Sequence, residues 1–594
     1  MRKHRILYGV AILTIVVIAI SMKVFRMYGN VHRKLDNILN NQQVILEREE
    51  SLAADIVEKE VEQVVEEIAE ENIVIENKES VIKDALNLIE QQKKIDEELL
   101  KELQSGEYTF ENPFVILDPY NISPLTALVL FETEEPAMVS LSIENQTGFE
   151  EDGVTVAFDT EGYVTEHVVP VYGLFPDSEN HITIMLEDET GQMNQSIISI
   201  QTEPLISDLQ NITFIANTRQ GEKYQPGFNF CDAGLHHAGV KKAFDSQGNI
   251  RWYFSQTFRI EICNYIQSPI GHVFMRPIPE DQDLIYEMDF LGKIYAVYYD
   301  AFQSHHYLEL TDHNTMILPV SDKETIEDCL VEIDLSTGEQ IHFLDYKDIL
   351  PRTRNAGAVY NNIDWMHMNS AVAYQGDVIV SSNWQSAIIR NDWDGNIKWM
   401  LASPAKWYDI WKDKLLKPVG NNFEYPYNQH AVDVLPDFDN NPDTVDLIVF
   451  DNGISRNFVN KEESDAPLYS RMVHYRVNEV EMTVEQIWEF GSGYPELFSR
   501  YRGNADLLEN GNFLGTFNQE TEDGIPCDTV YIEVDKDKNI VWECYAASRL
   551  GDNAYQDHRM VRMPIYRNAS YIELGIDAKN YIPQEVLDNV DLQE

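Results

Sequence analysis

Ala243-Phe-Asp-Ser-Gln-Gly-Asn-Ile-Arg-Trp, Arg390-Asn-Asp-Trp-Asp-Gly-Asn-Ile-Lys-Trp and Glu533-Val-Asp-Lys-Asp-Lys-Asn-Ile-Val-Trp are three copies of one pattern. An apolar strand runs into an Asp, a turn of polar residues follows, and a second strand opens on Ile and carries a bulky aromatic anchor. Weaker copies read Glu287-Met-Asp-Phe-Leu-Gly-Lys-Ile-Tyr, Glu332-Ile-Asp-Leu-Ser-Thr-Gly-Glu-Gln-Ile and Tyr475-Arg-Val-Asn-Glu-Val running on to Gln486-Ile-Trp. Asp and Asn bond their own backbone a few residues on, and Gly supplies the left-handed conformation that tight hairpins need. A hairpin recurring at long, irregular spacing with an aromatic anchor is the signature of a toroidal repeat, one hairpin per blade. Six copies predict an all-β chain whose main body, residues 208–594, is a six-bladed β-propeller, with five or seven blades as the alternatives.

Working outward, residues 108–207 alternate apolar and polar positions between Gly and Asp-Glu turns, in short strands such as Ala137 to Ile143 and His181 to Leu186. This predicts a small β-sandwich ahead of the propeller. Residues 31–107 form an acidic stretch, free of proline and glycine from His32 to Leu103, with apolar residues at Val57, Val61, Val64, Ile68, Ile82, Leu86 and Ile89. That spacing predicts a long helical stalk, a coiled coil through which the chain could pair with itself, or else a solvated single helix. Residues 1–30 contain an uncharged apolar run, 6–22, behind Arg2-Lys3-His4-Arg5 and with no small-residue cleavage pattern after it. It reads as a transmembrane signal-anchor that holds the rest outside the cell in a single-pass topology. The net charge of −55 excludes a nucleic-acid partner, because phosphates need a positive footprint. Five cysteines without a CxxC pair suggest neither a disulfide framework nor zinc.

Chemistry enters with three histidines in one register. His305, His367 and His430 each open an alternating strand, and in a propeller such strands start around one axis. The strand near Leu507 should open at Gly503, where Arg502 is the neighbour, and Asn369 stands two residues beyond His367, on the same face of an ideal strand. Three converging imidazoles allow two chemistries. They can hold a metal with water as the fourth ligand, or one can act as nucleophile or base while its neighbours donate hydrogen bonds to an anion.

Several stretches, taken in order, resemble the bacterial arylsulfate sulfotransferases. They are Asn121-Ile-Ser-Pro-Leu-Thr-Ala-Leu, Ser304-His-His, Asp364-Trp-Met-His-Met-Asn-Ser, Val380-Ser-Ser-Asn-Trp-Gln-Ser-Ala and Gln429-His-Ala, then Phe450-Asp-Asn-Gly-Ile-Ser-Arg, Tyr469-Ser-Arg-Met-Val-His-Tyr and Arg559-Met-Val-Arg-Met-Pro-Ile-Tyr. The resemblance implies a β-sandwich followed by a six-bladed propeller. It also implies transfer of a sulfuryl group from a phenolic sulfate to another phenol, without nucleotide, metal or cofactor. His430 would be the nucleophile, and His305, His367 and Asn369 would bind sulfate oxygens and handle the phenolic proton. One position departs. Asn383 stands where the family's Ser-Ser-Arg motif carries a sulfate-binding arginine, and Arg502 is the expected substitute. A non-catalytic ligand-binding propeller is the competing reading, and a histidine-ligated metal hydrolase a third.

Overall fold

Each Asp or Asn of the repeated hairpin turns the chain with its own carboxylate or amide. In the computed structural model Asp245 Oδ1 accepts the backbone N–H groups of Gln247 and Asn249, at 3.1 and 2.9 Å. The same oxygen of Asp289, Asp392 and Asp535 accepts the equivalent pair, and that of Asp334 and Asn478 accepts the N–H groups two and three residues on. Four of the turns then pass through a left-handed glycine, such as Gly292 at φ 93° and Gly395 at φ 81°. The other two force Met482 (54°) and Lys538 (69°) into the same conformation. The structure describes residues 81–590 apart from short internal stretches, the longest being 256–267, 457–467 and 353–362. The expected membrane anchor and most of the expected stalk lie outside the described residues. Among those described, no helix is long and apolar enough to cross a membrane.

The hairpins join the last two strands of six separate sheets, each hydrogen-bonded within itself. In chain order the sheets begin at Phe228, Val273, Gln303, Met368, His430 and Asn504. Three of them borrow strands from far away, the second sheet pairing its strand Ile294–Tyr299 in parallel with Lys579–Tyr581. Val561–Met563, near the C-terminus, pairs with Phe228–Cys231 of the first sheet, and Ile212–Thr218, which precedes the first sheet, pairs with the outer strand Ile540–Ser548 of the sixth. First and last sheets are thereby tied at both edges.

Indole N–H groups tie neighbouring sheets as well. Trp252 Nε1 donates to the carbonyl of Phe290 at 2.8 Å, Trp399 Nε1 to the Glu479 carboxylate at 2.6 Å, Trp488 Nε1 to the carbonyl of Lys536 at 3.1 Å and Trp542 Nε1 to the carbonyl of Ser246 at 3.0 Å. In every case the acceptor is the residue just after the turn Asp or Asn of the next sheet, and the last contact runs from the sixth sheet to the first. Between the second and third sheets Tyr298 replaces the tryptophan, its hydroxyl donating to the carbonyl of Leu335 at 3.1 Å. The aromatic anchors are therefore buried fillers and directional clasps at once.

The region expected as a sandwich is built on one long strand, Thr126–Ile143. Its first part pairs with Phe114–Leu117 and Val164–Tyr172, its second with Thr155–Phe158 and Glu179–Asp188. It docks on the first small sheet through the buried Arg251, whose Nε and Nη2 donate to the carbonyl of Gly173 at 2.9 and 2.6 Å.

The stalk expected over 31–107 needs correction at its C-terminal end. Residues 81–103 are helical, but Ile82, Ala85, Leu99 and Leu103 are buried in the chain's own core. Gln92 brackets the turn of the second sheet, donating to the carbonyl of Gly292 at 2.7 Å and accepting from the backbone N–H of Ile294 at 2.8 Å. Asp96 is buried with Lys293 and accepts from the Tyr120 hydroxyl at 2.7 Å. The apolar stripe, read as a seam for a partner helix, faces this chain's sheets.

Replacing Trp542 by Phe removes the donor that joins the sixth sheet to the first and leaves a buried carbonyl without its indole partner. We expect a loss of about 1–3 kcal/mol in urea unfolding of the full chain. Trp488→Phe, at a half-buried position, should cost under about 1 kcal/mol.

Candidate active site

The strand that carries His430 is fixed before the imidazole is considered. Asn369 Nδ2 donates to the carbonyl of Gln429 at 2.8 Å, and Ser381 Oγ donates to it at 3.3 Å. Gln429 reaches back, its Nε2 donating to the carbonyls of Ser382 and Ala387 at 3.1 and 3.0 Å. Asn383 and Asn428 clasp each other: Asn383 Nδ2 to the Asn428 carbonyl at 3.1 Å, Asn428 Nδ2 to Asn383 Oδ1 at 3.0 Å. Beyond the histidine, the Val432 N–H donates to Ser370 Oγ at 3.0 Å. The fourth sheet thus holds residues 428–432 of the fifth.

The ring of His430 is oriented from the opposite side. Its Nδ1 lies 2.7 Å from Asn452 Oδ1. Asn452 spends its amide N–H groups on the carbonyls of Ser499 and Arg502, at 2.9 and 2.6 Å. The amide therefore has one orientation, with oxygen toward the imidazole. An amide oxygen only accepts, so Nδ1 carries the proton and the lone pair belongs to Nε2. His430 is 7% exposed, with Nε2 on the ring edge away from Asn452.

His430 lines a cavity of about 20 Å³ with Tyr307, Asn369, Ala431, Gly503, Asn504, His558 and Arg559. Two of the expected residues, His430 and Asn369, are brought together there, and Gly503 takes its expected place in the wall. Gly503 has φ 112°, and a Cβ on it would fall 2.3 Å from the Phe450 ring. Asn504, His558 and Tyr307 were not foreseen. His558 follows a stretch without repeat character, and Asn504 stands beside a glycine that drew attention only as the position lacking a histidine.

His367 is not among the lining residues. Its φ of 48° breaks the strand alternation that would have put it on the face of Asn369. Its Nδ1 sits instead 2.6 Å from Glu327 and 3.2 Å from Asp364, and Trp384 Nε1 donates to Asp364 at 2.7 Å. Burial works against a charged ring, but the two carboxylates outweigh it and hold His367 up at about 10. At neutral pH His367 is a fixed cation. Glu327, Asp364 and His367 also offer three ligand atoms within 4.8 Å of one another, although a metal would have to displace the proton that binds them together. The amide of Asn383 is engaged by Asn428, so this departure from the arginine serves as an inter-sheet clasp. Arg502 is buried next to Gly503, at φ 64°, and its carbonyl anchors Asn452. His305 lies outside the described residues.

Tyr307 and Arg559 also border a wider cavity of about 1030 Å³, lined by Glu309, Asp433, Asp506 and Trp488 among others. Burial, and then the charge of Asp433, push Glu309 up to about 8; burial raises Asp433 to about 6 against the pull of Arg559.

Residues 213–556 match the family described as Arylsulfotransferase (ASST), and residues 114–203 match the Arylsulfotransferase Ig-like domain. The chain is 25% identical over 492 residues to the arylsulfate sulfotransferase AssT of Lelliottia amnigena, covering 64% of this chain and 79% of that protein. It is 25% identical over 494 residues to AssT of Escherichia coli O6:H1 (strain CFT073), with the same shares covered.

Because the folded value for His367 lies above its ordinary 6.5, the ion pair stabilises the fold fully below about 6.5, and that contribution is lost as pH rises through about 10. In a ¹⁵N NMR titration the His367 ring should stay protonated at pH 8, and Glu327→Gln should bring its titration toward neutrality.

Proposed function

This chain belongs to the arylsulfotransferase family, and from that premise we propose that it moves a sulfuryl group between phenols by a ping-pong route through His430. The six small sheets act as blades of a closed propeller, a reading supported by the indole clasps and by the borrowed strands that join the sixth sheet to the first. The observation that carries the chemistry is the fixed amide of Asn452, which keeps the lone pair of His430 on Nε2.

In the first half-reaction Nε2 attacks sulfur. The Nε2–S bond forms, the aryl O–S bond breaks, and the departing phenolate takes up a proton. In the second half an acceptor phenol attacks the same sulfur. The new O–S bond forms, the Nε2–S electron pair returns to the imidazole, and the acceptor's proton is released. Over both halves the proton count is unchanged. His558 is the imidazole suited to give that proton to the departing phenolate and to take one back from the acceptor, since it shares the cavity wall while His367 is held charged by its carboxylates. Arg502 takes the part that Asn383, spent on Asn428, leaves open, offsetting the charge of the sulfuryl oxygens. The apolar run at 6–22 keeps its reading as an anchor with the sheets outside the cell, where a self-activated aryl ester suits the want of nucleotides.

Full chain treated with p-nitrophenyl sulfate should release one burst of nitrophenol and gain an adduct of roughly 80 Da, the mass of SO₃, on His430. Added phenol should restore turnover, and His430→Ala should slow it by about a thousand-fold or more. An unlabelled His430, or a variant that keeps its rate, sinks the covalent route.

A further inference from the structure

Asn504 is fully buried, and its amide is held in one orientation by a chain of charges. Its Nδ2 donates to Asp506 Oδ2 at 2.6 Å, while Asp506 Oδ1 accepts from Arg559 at 2.9 Å. Turning the amide over would set its oxygen against the Asp506 carboxylate. The Asn504 Oδ1 atom is consequently fixed as an acceptor, and it has no donor. Asn369, 2% exposed, repeats the arrangement. Its Nδ2 is committed to the Gln429 carbonyl at 2.8 Å, and its Oδ1 is buried without a donor. Both asparagines line the cavity that His430 lines.

Two buried, donorless oxygens beside a nucleophile say what they are built to meet. A sulfuryl oxygen brings only lone pairs, and acceptor against acceptor is repulsive. A phenolic O–H brings the donor that both oxygens lack. We propose that Asn504, together with Asn369, binds the hydroxyl of the phenol, and that the sulfuryl oxygens are held elsewhere in the site. Asn504 thereby becomes a specificity residue: it accepts a ligand that donates from oxygen and disfavours the ether of the same shape. This differs from the part that the family resemblance implies for Asn369, that of a sulfate-binding amide. The assignment rests on His430 as the transfer centre only in saying which phenol matters, and the binding step can be read without turnover.

The test is calorimetric titration of the full chain with phenol and with anisole, its methyl ether. Phenol should bind at least about ten-fold more tightly, since a site built to hydrogen-bond a hydroxyl rejects the analogue lacking it. In Asn504→Leu that preference should largely vanish, with anisole affinity changed less than about two-fold. Equal binding of phenol and anisole by the unmodified chain overturns the assignment, and this comparison stands even where the leucine variant fails to fold. So does a preference that survives in a folded variant. Discrimination that persists while His430 refuses the sulfuryl label removes the transferase reading and leaves the hydroxyl site in place.

Discussion

The donation of an indole N–H to the turn of the next sheet is the constraint on which this architecture leans. Six sheets that share no strand hydrogen bonds with their immediate neighbours, apart from borrowed strands, would otherwise meet only through apolar side chains, which slide. A hydrogen bond to one named acceptor fixes the rotation of a sheet relative to the next at five of the six junctions, and between the third and fourth sheets His342 stacks on Trp393 instead. Because the Asp or Asn side chain has already shaped the turn, the acceptor is presented at the same place in every copy. Trp542 and Ser246 apply this rule between the two ends of the array.

That relative rotation is what places the imidazole of His430. Its backbone is gripped by the fourth sheet through Asn369, Ser381 and Ser370, and its ring by Asn452, which is itself oriented by carbonyls at the threshold of the sixth. Three sheets therefore define one imidazole. A tautomer chosen by an amide that has no other orientation needs no rearrangement when charge develops, which is the condition under which preorganised dipoles are most effective.

The β-rich character and the repeated hairpins were legible because their determinants are local. An Asp at the end of a strand, a left-handed residue three or four positions on and an aromatic anchor all act within ten residues, so six hairpins could be counted and six were found. His430 and Asn369 line one cavity, although Asn369 was assigned to it through the face of His367. His367 was legible as a residue but not in its direction, since a positive φ at a non-glycine position reverses the face that alternation assigns. Asn452, Asn504 and His558 escaped because their parts depend on partners dozens of residues away, and an asparagine in a strand carries no mark of which way its amide will be locked. The helix at 81–103 was read for the wrong neighbour: a stripe of apolar residues announces burial without saying against what.

The pairing of Phe230 with Val561 sets a schedule for synthesis. The first sheet is translated early, yet its inner edge waits for a strand made more than three hundred residues later, so that edge stays open on the ribosome. A nascent chain of this design is exposed to mispairing until its final segment emerges. Mutations that truncate it near the end therefore damage the beginning.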